Sequence, residues 1–318
     1  MPTNSLHRFM LFPVKRMELF NLYEKMIHLF WTPFEIDTTK DKACFEKLPE
    51  EVQDFVAHTL MFFASSDTLV MENISCNLSE RIEWPEARQC FALQAQQEAI
   101  HTHTYCKLIE SLIDEDKQLG FFTALENNPV IQQKCAFVLK YLQGDNADVK
   151  TATLIVSQAC FEGISFSSAF ASIFWLKTLQ DAKNMQGLYE ANHFISRDEG
   201  VHLHIAAAIY NELPQEEKLS DAEIETIIRD AVAVEHTFAD NTMPLQQMGM
   251  NKDVIKRYVN TCANYVAQLF GINPLFTDTE VPDFCATIGL ATKANFFEVR
   301  ETSYQKGFEH KFTLEDDF

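Results

Sequence analysis

The chain has 318 residues, 47% of them hydrophobic, with 27 Phe and only 9 Gly: enough to bury one large aromatic core, and too little glycine for Rossmann or phosphate-loop architecture. A formal net charge of -20 argues against a nucleic-acid partner, because neutralising phosphates takes clustered Lys and Arg. The eight Cys form no CxxC pair and no regular spacing, which reads as reduced thiols, several of them core fillers.

The opening MPTNSLHRFMLFPVKR lacks the uninterrupted apolar run of a secretory signal, so the expected location is the cytosol. Periodicity then predicts helices at 15–30, 50–78, 85–115, 129–142, 147–178, 184–212, 221–247, 252–270 and 285–305. No stretch alternates strictly enough to predict a strand. Polar breaks at Gly144-Asp145-Asn146, from Pro214 to Ser220 and at Asn273-Pro274 separate several helices, and Ser220 to Glu223 has the form of a capping box. No Gly/Ser/Pro-rich linker divides the chain, so residues 1–304 are expected to form one domain, with the acidic stretch 305–318 as a mobile tail.

In chain order, acids turn up inside apolar helices. Asp67 follows Leu60, Met61, Phe62, Phe63 and Ala64 and precedes Leu69, Val70 and Met71. The segment 85–115 carries Glu98-Ala-Ile-His101, whose carboxylate and imidazole, three residues apart, share one helical face. Between Lys150 and Lys177 the only formally charged residue is Glu162. A carboxylate at mid-bilayer costs roughly 2.5–3.5 kcal/mol or more, and Ser157, Gln158, Ser165, Ser167 and Ser168 interrupt the stretch. It is therefore expected to be the central helix of a bundle and not a membrane span.

The segment 184–212 repeats the acid–imidazole spacing twice, as Glu190-Ala-Asn-His193 and as Glu199-Gly-Val-His202. Nine residues turn a helix by about 900°, so the two phrases face opposite sides and only one can line an interior pocket. Glu190 and His193 are taken as the surface pair. Asp67, Glu98, Glu162 and Glu199, with His101 and His202, then form the ligand set of a carboxylate-bridged dimetal centre inside a helical bundle. Four acids around two divalent cations balance in charge. The oxygen-rich, two-nitrogen set suits iron or manganese better than structural zinc. Separate buried acids with other partners are the plain alternative.

Tyr105 falls four residues after His101 and seven after Glu98, on the same helical face. Phe166 and Phe170 follow Glu162 by four and eight, carrying an apolar ridge onward from another ligand. A phenol beside a redox metal pair, walled by apolar rings, can hold a radical that solvent does not quench. An ordinary core tyrosine would look the same in sequence.

These residues resemble the radical-bearing small subunit of class I ribonucleotide reductase, of the type found in eukaryotes and large DNA viruses. The resemblance runs over essentially the whole chain. It is carried by Phe30-Trp31, Phe62 through Asp67, Glu98 to His101 with Tyr105, and Phe161-Glu162-Gly163 through Lys177. Ile195 through His202, Asn295 to Glu298 with Tyr304, and the ending Phe312-Thr-Leu-Glu-Asp-Asp-Phe318 complete it.

The resemblance implies an all-α, ferritin-like helical bundle with additional helices and two iron ions per chain, manganese being open. Asp67, Glu98 and His101 would serve one metal, and Glu162, Glu199 and His202 the other. Tyr105 matches the radical tyrosine, with Phe166, Phe170 and Ile195 around it. Trp31 and Asp198 match residues that, with His101, relay the oxidising equivalent, and Tyr304 matches the tyrosine that hands it across the interface. The implied activity is ribonucleoside-diphosphate reductase, expressed only with a large catalytic subunit, which the tail would bind through Phe312, Leu314 and Phe318. A homodimer in the cytoplasm is implied, or the host cytoplasm for a viral source, with no nucleic-acid or membrane partner. The connection after Tyr304 is shorter than in mammalian relatives. His103 stands where the family has a different residue; two positions from His101, it points away and is read as non-ligating. A self-contained dimetal oxidase on the same scaffold, and a metal store or regulatory subunit, are the competing classes.

Overall fold

The computed structural model describes residues 9–118, 129–142, 149–241, 243–244 and 248–285. Among these, every regular element is helical. We number the α-helices α1 (Met17–His28), α2 (Asp41–Phe45), α3 (Glu50–Glu72), α4 (Ser79–Arg81), α5 (Pro85–Leu112), α6 (Pro129–Leu142), α7 (Thr151–Cys160), α8 (Ser167–Leu176), α9 (Gln186–Glu212), α10 (Asp221–Asn241) and α11 (Lys252–Leu269). Two π-helical segments, Asn73–Leu78 and Phe161–Ser165, extend α3 and join α7 to α8. The predicted helix at 285–305 lies outside the described residues.

Apolar spacing explains what each helix buries. On α1, Leu19, Leu22 and Met26 fall on one stripe, which lies over α5 and α9. On α5 the buried stripe runs without a break through Ala87, Cys90, Phe91, Gln94, Gln97, Glu98, His101, Thr104, Tyr105, Leu108 and Leu112. Its middle is polar where an ordinary core helix is apolar. Pro85 opens this helix at its first position, where a missing N–H leaves no hydrogen bond unmade. The capping box forms as expected, with Ser220 N–H donating to Glu223 Oε2 at 2.7 Å and Glu223 N–H to Ser220 Oγ at 3.4 Å.

The bundle sets α3 against α5, α5 against α9 and α9 against α7, while α10 and α11 close the far side over the Phe161–Ser165 segment. The run from Thr151 to Leu176, long and apolar enough to cross a bilayer, is 94% buried inside the protein over its most apolar window. It is a core helix, as its serines and Glu162 predicted.

Three boundaries differ from the sequence expectation. The stretch 147–178 is interrupted by the π-helical segment, and the end of 50–78 winds into another; an extra residue per turn leaves no compositional mark. The helix expected to reach 247 ends at Asn241, because Pro244 disfavours helix just before it. The short helix Asp41–Phe45 and the 3₁₀ turns Pro33–Glu35 and Asp283–Cys285 are too brief for periodicity to reveal. Gly163 packs the π-helical segment tightly: a Cβ there would lie 2.8 Å from Val266 Cγ2 and 3.2 Å from Leu203 Cδ2.

Candidate metal centre

Four chain segments converge on one buried spot: α3 brings Asp67, α5 brings Glu98 and His101, the Phe161–Ser165 segment brings Glu162, and α9 brings Glu199 and His202. None of the six is more than 1% exposed. Ligand atoms of Glu98, Glu162, Glu199 and His202 lie within 4.8 Å of one another, and so do those of Asp67, Glu98 and His101. Glu98 belongs to both groups. Its Oε1 is 3.0 Å from His202 Nδ1 and its Oε2 is 3.3 Å from His101 Nδ1. Glu199 spans the same two rings at 3.2 and 3.4 Å, and Asp67 Oδ2 stands 3.9 Å from His101 Nδ1.

These approaches are not aligned as hydrogen bonds. Both oxygens of Asp67 and of Glu199, Oε1 of Glu98, Oε2 of Glu162 and Nδ1 of both imidazoles have no hydrogen-bond partner. Buried polar atoms are normally paired, so a cluster of orphans aimed at a common centre fits bound cations. The outer ring nitrogens are occupied instead: His101 Nε2–H donates to Asp198 Oδ2 at 3.3 Å and His202 Nε2–H to Gln97 Oε1 at 3.0 Å. Such bonds select, for each neutral ring, the tautomer whose Nδ1 lone pair faces inward.

Burial, and then the neighbouring carboxylates, push the carboxyls of Asp67 and Glu162 well above the ordinary range. Burial pulls both imidazoles down, but the acids beside them outweigh it and hold His101 and His202 well above the usual histidine value. These directions favour the protonated forms of Asp67, Glu162 and both imidazoles, so binding metal there would release protons.

Amides that no motif singles out support Glu162. Gln94 Nε2 donates to Glu162 Oε1 at 2.9 Å and Gln158 Nε2 at 3.2 Å, while Asn73 Nδ2 donates to Gln158 Oε1 at 2.6 Å. The available signal is spacing: Gln94 lies four residues before Glu98, and Gln158 four before Glu162.

Tyr105 is 3% exposed, and burial followed by the charges of Asp67, Glu199 and Glu98 holds its phenol well above the ordinary value. Phe63 stacks on it with ring centroids 5.0 Å apart. Phe170 stacks on the same Phe63 at 5.0 Å, and Phe166 meets it edge-on at 5.2 Å. Ile195 is fully buried on α9. Phe63, four residues before Asp67, is the ring that the expected set of Phe166, Phe170 and Ile195 left out.

On the other side of His101, Trp31 stacks at 6.1 Å, and its Nε1–H donates to Asp198 Oδ2 at 2.7 Å. Arg197 Nη2 donates to Asp198 Oδ1 at 3.1 Å. Burial alone would raise Asp198, yet the bond to His101, the Arg197 charge and the Trp31 bond hold it below the ordinary aspartate value. Trp31, Asp198 and His101 thus form one connected buried group. Glu190 is exposed on the opposite face, and His103 is exposed with its ring edge-on to Phe34 at 5.9 Å. Neither belongs to the cluster. Tyr304 lies outside the described residues.

A family model described as "Ribonucleotide reductase, small chain" matches residues 8–282. The chain is 34% identical to the ribonucleoside-diphosphate reductase small chain of Nicotiana tabacum, over 99% of this chain and 97% of that protein. It is 34% identical to ribonucleoside-diphosphate reductase subunit M2 of Danio rerio, over 98% of this chain and 81% of that one. Among solved structures it resembles the Rnr4 homodimer of Saccharomyces cerevisiae, with a TM-score of 0.79 and 28% identity over 88% of this chain and 86% of the other. A full-length match of this kind, on a helical bundle whose core gathers four acids and two imidazoles, has one reading: the chain belongs to the ribonucleotide reductase small-chain family, the radical-generating subunits of ribonucleoside-diphosphate reductase.

Proposed function

We propose that Asp67, Glu98, His101, Glu162, Glu199 and His202 hold two metal ions, and that Tyr105 stores the radical they generate. The observation that carries this is the convergence of eight partnerless buried ligand atoms from four segments. Iron is the expected metal, two ions per chain, and manganese suits the same donors. When bound, the metal pair supplies with oxygen an oxidant strong enough to remove an electron from a phenol.

The protein's own residues do the rest. Phe63 covers one side of Tyr105 and is itself backed by Phe166 and Phe170, which keeps water from that side. The buried site keeps the phenol protonated until it is oxidised. Trp31, Asp198 and His101 give the oxidising equivalent a hydrogen-bonded way out toward the surface, where Arg197 orients Asp198. Tyr304 would carry it on to the large subunit, and Phe312, Leu314 and Phe318 would anchor the tail there. Residues 1–304 would form one domain, and the tail 305–318 would order on its partner. A homodimer in the cytoplasm follows from the same reading, the related Rnr4 being a homodimer.

Adding ferrous iron and then oxygen to metal-free protein is expected to give a tyrosyl radical by electron paramagnetic resonance, absent in Tyr105→Phe. A signal that survives in that variant, or none in the wild type, rejects the assignment. A peptide of residues 312–318 is expected to inhibit by competing for the large subunit; no inhibition at high concentration removes the tail's role.

A further inference from the structure

A second buried charged group lies beyond the aromatic wall, with no part in the ligand set. Lys134 of α6 is 1% exposed and Glu235 of α10 is fully buried, with Nζ and Oε2 2.7 Å apart. Phe238 lies 3.7 Å beneath the ammonium, and Phe62 lies 4.5 Å away. A buried ion pair is weak evidence for stability, since removing two charges from water costs as much as their attraction returns. Its position calls for another explanation.

The pair bonds to backbone at the junction where the π-helical segment gives way to α8. Lys134 Nζ donates to the Ser165 carbonyl at 2.7 Å, and Ser168 N–H donates to Glu235 Oε1 at 3.2 Å, with the Ser168 hydroxyl donating to the same oxygen. The last carbonyls of one helix and the first N–H groups of the next have no intrahelical partners. Lys134 and Glu235 supply them. Upstream of this junction is Glu162; at it is Phe166, and one turn on is Phe170. Phe166 also packs edge-on against Phe62, under the ammonium.

We propose that Lys134 and Glu235 are positioning residues for the metal centre: a buried ion-pair clamp that fixes the π-helical junction, and through it Glu162 and the rings around Tyr105. This rests on the dimetal and radical assignment above. Neither residue touches the ligands, so the clamp acts through the backbone of residues 162–170.

The test is Lys134→Met/Glu235→Leu, which leaves no charge buried alone. Ferrous iron is titrated into the metal-free protein under argon against a competing chelator, and the oxygenated protein is examined by electron paramagnetic resonance. In the folded variant, iron affinity is expected to fall about tenfold, as when groups supporting metal ligands are removed. The radical's hyperfine pattern is expected to change and its half-life to shorten. A change in either readout in folded protein supports the clamp, whereas wild-type affinity together with a wild-type spectrum overturns it. Wild-type protein that takes up iron without a tyrosyl radical refutes the radical assignment, and the clamp is then decided on affinity alone. Wild-type protein that binds no iron refutes both. Should the double variant not fold, Ser168→Ala, which removes only one hydroxyl donor to Glu235, gives the same reading at smaller amplitude.

Discussion

Two buried charged clusters sit on either side of the same aromatic layer, and they are built oppositely. Around Glu98 and Glu199, acids outnumber imidazoles and eight ligand atoms lack a hydrogen-bond partner. Around Lys134, one ammonium meets one carboxylate at 2.7 Å, and the remaining bonds go to the Ser165 carbonyl and to the N–H and hydroxyl of Ser168. The open cluster could hold cations. The closed one holds chain. Burial alone therefore does not mark a functional site; ligand atoms left without hydrogen-bond partners around a common centre point to one.

The sharpest way to break this contrast is to damage the open cluster at its shared ligand. Glu98→Ala removes the carboxylate that reaches both imidazoles, and metal analysis after loading is expected to show at most half the wild-type content. Glu162→Ala should also lower metal content greatly; full retention in either variant would count against the shared site.

The closed cluster should respond to how many charges are left behind. Lys134→Met strands Glu235 and is expected to cost about 3–5 kcal/mol in denaturant unfolding, while the double apolar replacement buries no lone charge and costs less, about 1–3 kcal/mol, from the Ser165 carbonyl and Ser168 N–H left without partners. Equal losses in both variants would mean that the pair is held for stability and not for position.

The wall between the clusters is tested at Phe63. Phe63→Ala opens a cavity against Tyr105 and is expected to cost about 3–5 kcal/mol, with metal content retained and the radical lost faster. A radical as long-lived as wild type would show that Phe166 and Phe170 shield Tyr105 unaided. Smallest of all, Glu190→Ala, on the exposed face of α9, is expected to change stability by less than about 0.5 kcal/mol. It should also leave metal content unchanged, and a loss of metal would place the second acid–imidazole pair in the site.

Much of this was legible in the chain. Glu98 and His101, like Glu199 and His202, declare themselves because a spacing of three puts both groups on one helical face. Asp67 and Glu162 stand out because ionised acids are costly in apolar surroundings. The rejection of Glu190 and His193 needed only the helical angle, and the structure places Glu190 on the exposed face. Less could be read for the supporting groups. Gln94, Gln97 and Gln158 are uncharged and common on helices, so nothing distinguishes them until their partners are known. Phe63 is one of 27 phenylalanines. Asp198 and Trp31 were reached through the resemblance, since 167 positions separate the two ends of their hydrogen bond.

By itself the sequence determined an all-helical bundle and the six side chains that face its interior, because helical geometry turns spacing into direction. Only tertiary structure decided that Glu98 stands between both imidazoles, that the π-helical turn carries Glu162, and that Lys134 meets Glu235. Those outcomes depend on which helices become neighbours and at what height. Side-chain spacing within one helix carries no information about the distance to another.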